Sequence, residues 1–224
     1  MYLRKIIFIC LLLFALKSVS AQTSKFQFGV KGGLNLSTAF VNDEAEAVKF
    51  KQGFHFGGTV EYLITPKFEL QSGLFFSMLG SKIDGFNMSA SLCGKPDFLQ
   101  LNEQYLKLPL YAAFRKNISD NLNFKIGIGP YFSYGIGGKS KRTLNSGVFG
   151  GGNTEREWDT FGDDIESLNR FDFGAGLIAD IEYNKFVLGV GFESGIVNLM
   201  YKKEYLNPFE YRNVNISISI GYRF

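Results

Sequence analysis

The chain has 224 residues, is 46% hydrophobic and 16% aromatic, and carries 26 glycines against 5 prolines, a composition that suits one all-β domain better than a helical one. Its formal charge of +3 includes Arg4, Lys5 and Lys17 of the leader segment described next; without them acids and bases balance, which excludes a basic face for nucleic acid. A single histidine and, past the leader, a single cysteine exclude a closed zinc site and an internal disulfide.

Residues 1–21 read as a secretory signal. Arg4 and Lys5 form its basic start, Ile6 to Leu16 its apolar stretch, and Val19-Ser20-Ala21 a small-residue cleavage site before Gln22. Residues 22–224 then form the mature domain. The apolar stretch is too short to span a membrane as a helix, and no later run approaches the ~20 apolar residues required. Cys10 leaves with the signal, so Cys93 stands alone and reads as an unpaired loop thiol.

From Phe26 onward the dominant signal is strict alternation, the mark of a strand whose side chains point to opposite faces at every step. Phe26, Phe28, Val30, Leu34 and Leu36 oppose Gln27, Gly29, Lys31, Gly33 and Asn35; Phe54, Phe56, Val60 and Tyr62 oppose His55, Gly57, Thr59 and Glu61. Phe68, Leu70, Leu74, Phe76 and Met78 oppose Glu69, Gln71, Gly73 and Ser77, with Phe75 as an exception. Leu106, Leu108, Leu110, Ala112 and Phe114 oppose Tyr105, Lys107, Tyr111 and Arg115. Leu122, Phe124, Ile126, Ile128, Phe132 and Tyr134 oppose Asn123, Lys125, Gly127, Gly129 and Ser133. Phe171, Phe173, Leu177, Ile181 and Tyr183 oppose Arg170, Asp172, Gly174, Gly176, Asp180 and Glu182; Phe186, Leu188, Val190 and Phe192 oppose Gly189, Gly191 and Glu193. The chain closes with Val214 to Phe224 against Asn215 to Arg223.

These segments predict eight antiparallel strands. Their connections alternate between tight (Ile64 to Lys67, Lys116 to Asp120, Asn184-Lys185) and long (Ser37 to Lys51, Gly80 to Asn102, Gly137 to Asn169, Met200 to Glu210). Short turns on one side and long loops on the other are the pattern of an up-and-down transmembrane β-barrel, with turns and termini periplasmic and loops extracellular. A soluble sandwich or lipocalin-like barrel alternates as well. Four features favour the membrane version: the export signal, strands of about 10 residues that match a tilted bilayer span, aromatics near the ends of the apolar face, and a glycine-rich opposite face bearing both signs of charge. Tyr62, Phe68, Phe114, Tyr183, Phe186, Tyr222 and Phe224 are expected at the periplasmic rim and Phe54, Tyr134 and Phe171 at the outer rim.

The charges expected to line the lumen are Lys31, Glu61, Glu69, Lys107, Arg115, Lys125, Asp172, Asp180, Glu182, Glu193 and Arg223, together with Arg170. A one-residue register slip would turn them into lipid, where Lys or Arg at the midplane costs about 2–4 kcal/mol each, so alternation and register enforce one another. Closure satisfies every ladder hydrogen bond and removes the edge strands that hydrocarbon cannot solvate.

Four segments carry a resemblance: Gly29-Val30-Lys31-Gly32-Gly33-Leu34-Asn35-Leu36-Ser37, Phe68-Glu69-Leu70-Gln71-Ser72-Gly73-Leu74, Tyr105-Leu106-Lys107-Leu108-Pro109-Leu110, and the closing Ile218-Ser219-Ile220-Gly221-Tyr222-Arg223-Phe224. Over essentially its whole mature length the chain resembles the PorT-like outer membrane β-barrel proteins of the Bacteroidetes group. The resemblance implies an eight-stranded outer membrane barrel whose terminal aromatics, Tyr222 and Phe224, act as the signal read by the barrel-assembly machinery. The namesake of that family assists secretion, but a shared barrel does not carry a shared task.

Other candidate chemistry is thin. Gly174-Ala175-Gly176 with Ala179 matches a dinucleotide pattern, yet no helix follows it. His55 is the residue on which any lipid-acting catalytic arrangement would depend; the alternative is a polar lumen residue. Trp158 lies among charges in the third long loop, as an exposed partner anchor or as a side chain resting on the rim. Asp163, Asp164 and Glu166 do not have the spacing of a calcium loop. The expectation is therefore a structural, interaction or secretion-associated barrel with no chemistry or cofactor of its own. Its expected partners are outer membrane lipid, the assembly machinery and secretion or envelope proteins. A narrow pore for ions or small solutes, and a lipid-acting enzyme, are the alternatives.

Overall fold

The computed structural model describes residues 25–41, 47–84, 98–144, 154–162, 167–200 and 210–224. The leader 1–21 with Cys10, and likewise Cys93, Asp163, Asp164 and Glu166, lie outside the described residues. The strands are β1 (Phe26–Val41), β2 (Ala47–Lys49), β3 (Lys51–Thr65), β4 (Phe68–Asp84), β5 (Phe98–Ser119), β6 (Leu122–Gly137), β7 (Lys139–Leu144), β8 (Thr154–Asp159), β9 (Phe171–Tyr183), β10 (Phe186–Gly195) and β11 (Tyr211–Arg223).

Eight of them close a ring in the order β1-β3-β4-β5-β6-β9-β10-β11, antiparallel throughout, with β11 returning to β1 through pairs from Gly29↔Arg223 to Val41↔Tyr211. This is the eight-stranded antiparallel up-and-down barrel expected from the alternation. Its burial is inside out. Leu34, Phe171 and Ile220 are 70%, 73% and 70% exposed on the outer face, whereas Lys125, Asp180 and Glu182 are 0% exposed within. Only hydrocarbon outside makes that distribution favourable.

The first three long loops were expected to begin at Ser37, Gly80 and Gly137, but strand structure runs on past the apolar band at each. β5 has 22 residues and β4 has 17, while β2 pairs with β4 and the β7–β8 hairpin extends β5. The cause is a change of solvent. On β5 the outward residues are apolar from Leu106 to Phe114 but become Gln100, Asn102 and Gln104 beyond it, while the inward ones become Leu99 and Leu101. Above the band the outside is water, so the polarity of the two faces inverts and the strand continues as an ordinary water-facing sheet.

Inside that upper extension lies a small apolar core of Leu79, Ile83, Leu99, Leu101, Tyr105, Trp158, Phe161, Leu168, Leu199 and Tyr211. Of the two places expected for Trp158, the exposed anchor is the one that fails: the side chain is 7% exposed, because its pairing with Ser140 turns it onto the inner face of the hairpin. Residues 160–162 and 167–170, between β8 and β9, lie in the mouth. Phe161 packs edge-on against Tyr105 at 5.2 Å, Thr160 Oγ1 donates to Asn102 O at 2.6 Å, and Leu168 N donates to Thr160 O at 2.7 Å. Arg170 is not a lumen charge; its two Nη atoms donate to Gly135 O and Phe161 O at 2.9 and 2.7 Å and clamp these residues to β6.

Two prolines interrupt the wall at mid-height. The β4–β5 ladder skips Gly73 and Leu74 opposite Pro109, and the β5–β6 ladder skips Leu110 and Tyr111 opposite Pro130 and Gly129. Proline has no N–H to give to a ladder. Ser72 Oγ compensates by donating to Pro109 O at 2.8 Å, supplying in the hydrocarbon region a donor that water cannot.

Candidate functional site: the lumen

Side chains fill the lumen in layers, each drawn from several strands. At the end of the short turns, Glu61 of β3, Glu69 of β4 and Glu182 of β9 converge on Lys125 of β6, whose Nζ lies 2.6, 3.0 and 3.2 Å from their oxygens. Arg115 of β5 approaches Glu182 at 3.3 Å and Glu69 at 3.9 Å, and Arg223 of β11 also contacts Glu182. Gln71 donates to Glu61 at 2.8 Å and Arg223 to Gln27 at 2.7 Å. Three carboxylates and three cations make the layer neutral, which is how a buried cluster offsets the desolvation of each member.

Above it Lys31 of β1 reaches across the lumen to Asp180 of β9 at 2.8 Å. Gly189 makes the crossing possible: a Cβ there would lie 2.1 Å from Asp180 Oδ1 and 2.9 Å from Lys31 Nζ. A cavity of about 90 Å³ adjoins this pair, lined by Thr59, Ser217 and Ser219 on one side and by Phe75 and Ile178 on another. That is room for a few waters and far below the ~300–1,000 Å³ of ordinary small-molecule sites. Phe75, the exception already visible in the alternation, and Ile178, which the alternation left unassigned, bring apolar side chains into the lumen. Phe75 lies over Gly57 and Gly73, and Ile178 against Gly127, so missing side chains leave space for apolar ones.

Higher still, Lys107 contacts Glu193, which accepts hydrogen bonds from Tyr111 Oη and Asn215 Nδ2, each at 3.1 Å. His55 Nδ1 lies 2.9 Å from Asn35 Oδ1, and its ring sits edge-on to Phe75 at 6.2 Å. Asn35 is held in turn by Ser77 Oγ and Met78 O, both at 3.1 Å. His55 is thus tied to amide and aromatic neighbours, not to a serine. Gly174 and Gly176, the glycines of the dinucleotide-like pattern, face inward on β9 and make room for the rings of Tyr131 and Tyr111.

At the mouth Asp172 accepts from Asn213 Nδ2 at 3.2 Å and Tyr131 Oη at 3.4 Å. Asn213 also donates to Glu103 at 2.8 Å, and Tyr211 Oη donates to Glu103 at 2.7 Å. Asp172 was expected in the lumen, but its neighbours Glu103, Tyr211 and Asn213 went unread in the sequence, although alternation through Leu99 to Tyr105 and Tyr211 to Asn215 was the available signal. Glu103 lies above the apolar band, is fully buried, and has its carboxyl pushed above the usual carboxylate range by that burial. Lys51, also beyond the band, donates to Leu101 O at 2.9 Å and contacts Asn102; burial lowers its amine to about 8.

The expected girdle aromatics meet across strands: Phe26 with Tyr62 at 4.8 Å, Phe68 with Phe114 and Phe186 with Tyr222 at 5.4 Å, and Tyr134 with Phe171 at 5.0 Å. Tyr222 also packs on Phe224 at 5.8 Å. Among the described residues no group of three or more His, Cys, Asp or Glu side chains is arranged to hold a metal.

A family model described as "Outer membrane protein beta-barrel domain" matches residues 20–201. Among solved structures the chain is similar to the attachment invasion locus protein Ail of Yersinia pestis, at 16% identity over 88% of this chain and 98% of that one, with a TM-score of 0.37. It is similar also to OprG from Pseudomonas aeruginosa, at 11% identity over 88% and 95% with a TM-score of 0.45. Neisserial surface protein A matches at 11% identity over 88% and 97% with a TM-score of 0.40. No curated protein matches the sequence.

Proposed function

Since this chain belongs to the outer membrane protein beta-barrel domain family, we propose that it serves as an occluded barrel whose task is placement: it holds its upper sheet and loops at the cell surface and has no chemistry of its own. The observation that carries this reading is the double closure of the lumen. Phe161, Leu168 and Leu199 fill the mouth, and the six-charge layer around Lys125 fills the base, with about 90 Å³ of space between. In this reading the short turns and both termini are periplasmic and the β7–β8 hairpin is extracellular. Tyr222 and Phe224 serve the assembly machinery, and the partners are secretion or envelope proteins, in keeping with the PorT-like motifs. Planar-bilayer recording from the purified barrel tests the proposal. No conductance steps across the voltage range is the expected result; discrete steps would overturn occlusion in favour of a narrow pore.

A further inference from the structure

One backbone arrangement recurs at the turn end of the barrel. Each of the four strands that leave that end is preceded by a residue whose carbonyl accepts a backbone hydrogen bond from the adjoining chain. Leu63 N donates to Lys25 O, Arg115 N to Lys67 O, Asn184 N to Asn121 O and Arg223 N to Lys185 O, at 2.7 to 2.8 Å. In three of the four the accepting residue is lysine and the next is phenylalanine: Lys25-Phe26, Lys67-Phe68 and Lys185-Phe186. Each phenylalanine packs against the aromatic that precedes the donor, namely Tyr62, Phe114 or Tyr222. The fourth repeat has Asn121-Leu122 instead.

These three lysines are exposed, and none has an acidic partner among the described residues. Lys185 Nζ lies over the Tyr222 ring at 5.8 Å, which shows the geometry of the motif: an aromatic pair at the edge of the apolar band with an ammonium just beyond it. At the opposite rim the same backbone and ring arrangement occurs at Arg170-Phe171, where Gly135 N donates to Arg170 O at 2.7 Å and Phe171 packs on Tyr134 at 5.0 Å, but there the guanidinium is turned back to Gly135 O and Phe161 O.

We infer that the three Lys-Phe motifs are binding sites for the phosphodiester headgroups of anionic phospholipids, one per motif, in the leaflet that faces the short turns. The aromatic pair takes the glycerol and first methylenes, where aromatic side chains are favoured, and the lysine reaches past it to the phosphate with its stem along the ring. Each lysine close to an anionic surface strengthens binding about fivefold. The lysines have fixed positions because ladder hydrogen bonds hold their backbones, so the sites exist before lipid arrives. The inference rests on the proposed orientation of the barrel, with turns in the phospholipid leaflet.

The test is native mass spectrometry of the barrel released from nanodiscs of equal phosphatidylglycerol and phosphatidylcholine. Wild type is expected to retain phosphatidylglycerol preferentially, the Lys25→Gln/Lys67→Gln/Lys185→Gln variant to lose most of that preference, and Asn121→Lys with Leu122→Phe to add one retained molecule. Equal retention of the two lipids by wild type, or an unchanged preference in the triple variant, overturns the inference. A heat-dependent mobility shift on each variant ensures that only closed barrels are compared. Orientation is read separately with a membrane-impermeant thiol reagent on Lys67→Cys in a Cys93→Ser background. Labelling only after permeabilisation supports the leaflet assignment, and labelling in intact cells overturns it, whatever the lipid preference in nanodiscs.

Discussion

Replacing Lys125 by methionine isolates what the charged layer contributes. The side chain is fully buried, and its ammonium lies 2.6 to 3.2 Å from Glu61, Glu69 and Glu182. After Lys125→Met, Glu61 keeps its bond from Gln71, and Glu182 keeps Arg115, Arg223 and Asn123. Glu69 keeps only Arg115, at 3.9 Å. The lost ammonium therefore strands one buried negative charge, and it falls on Glu69. Breaking a buried pair in this way costs about 3–5 kcal/mol. Urea unfolding in lipid vesicles, read by heat-dependent gel mobility, is expected to show a loss of that size. Adding Glu69→Gln restores neutrality without changing shape and is expected to recover more than half of it, so the double variant exceeds the single one in stability. A Lys125→Met midpoint equal to that of wild type, or no recovery with Glu69→Gln, would refute the reasoning. In the first case water reaches the layer; in the second the lysine acts by packing its stem.

Two further outcomes follow from the interior. Gly189→Ala drives a methyl into the Lys31–Asp180 pair and is expected to cost about 1–3 kcal/mol, whereas Gly58→Ala on the lipid face, whose nearest neighbour would be Gly29 O at 3.9 Å, is expected to leave the unfolding midpoint unchanged. For Lys51, burial holds the folded amine near 8 against 10.5 when unfolded. The unfolded chain therefore binds more protons between those values, so stability is expected to rise as pH increases from about 8 to 10.5. Below the folded value the penalty is present in full. Lys51→Met should flatten that rise in a pH series of unfolding midpoints.

Period-two alternation assigned nearly every residue of the eight barrel strands to a face before any pairing was known, because a strand turns its side chain through half a revolution per residue whatever its neighbours do. It also led to the strand count, the short turns and an apolar face made for lipid, since a sheet in hydrocarbon must close upon itself. Alternation by itself says nothing about which charges meet. Lys125 and Glu61 lie 64 residues apart, and Lys31 and Asp180 lie 149 apart; their contacts exist only because closure at one particular register brings β6 beside the lumen face of β3 and β1 opposite β9. The upper extension was missed for a different reason. Leu99, Leu101 and Tyr211 keep the period but reverse its sign, because the solvent outside the wall changes from lipid to water, and a rule tied to one solvent reads such a tract as loop. Trp158 and Phe161 carry no period that could place them. Pairing within the β7–β8 hairpin turned Trp158 inward, and the barrel mouth, where apolar side chains of β1, β4, β5 and β11 gather, took in Phe161.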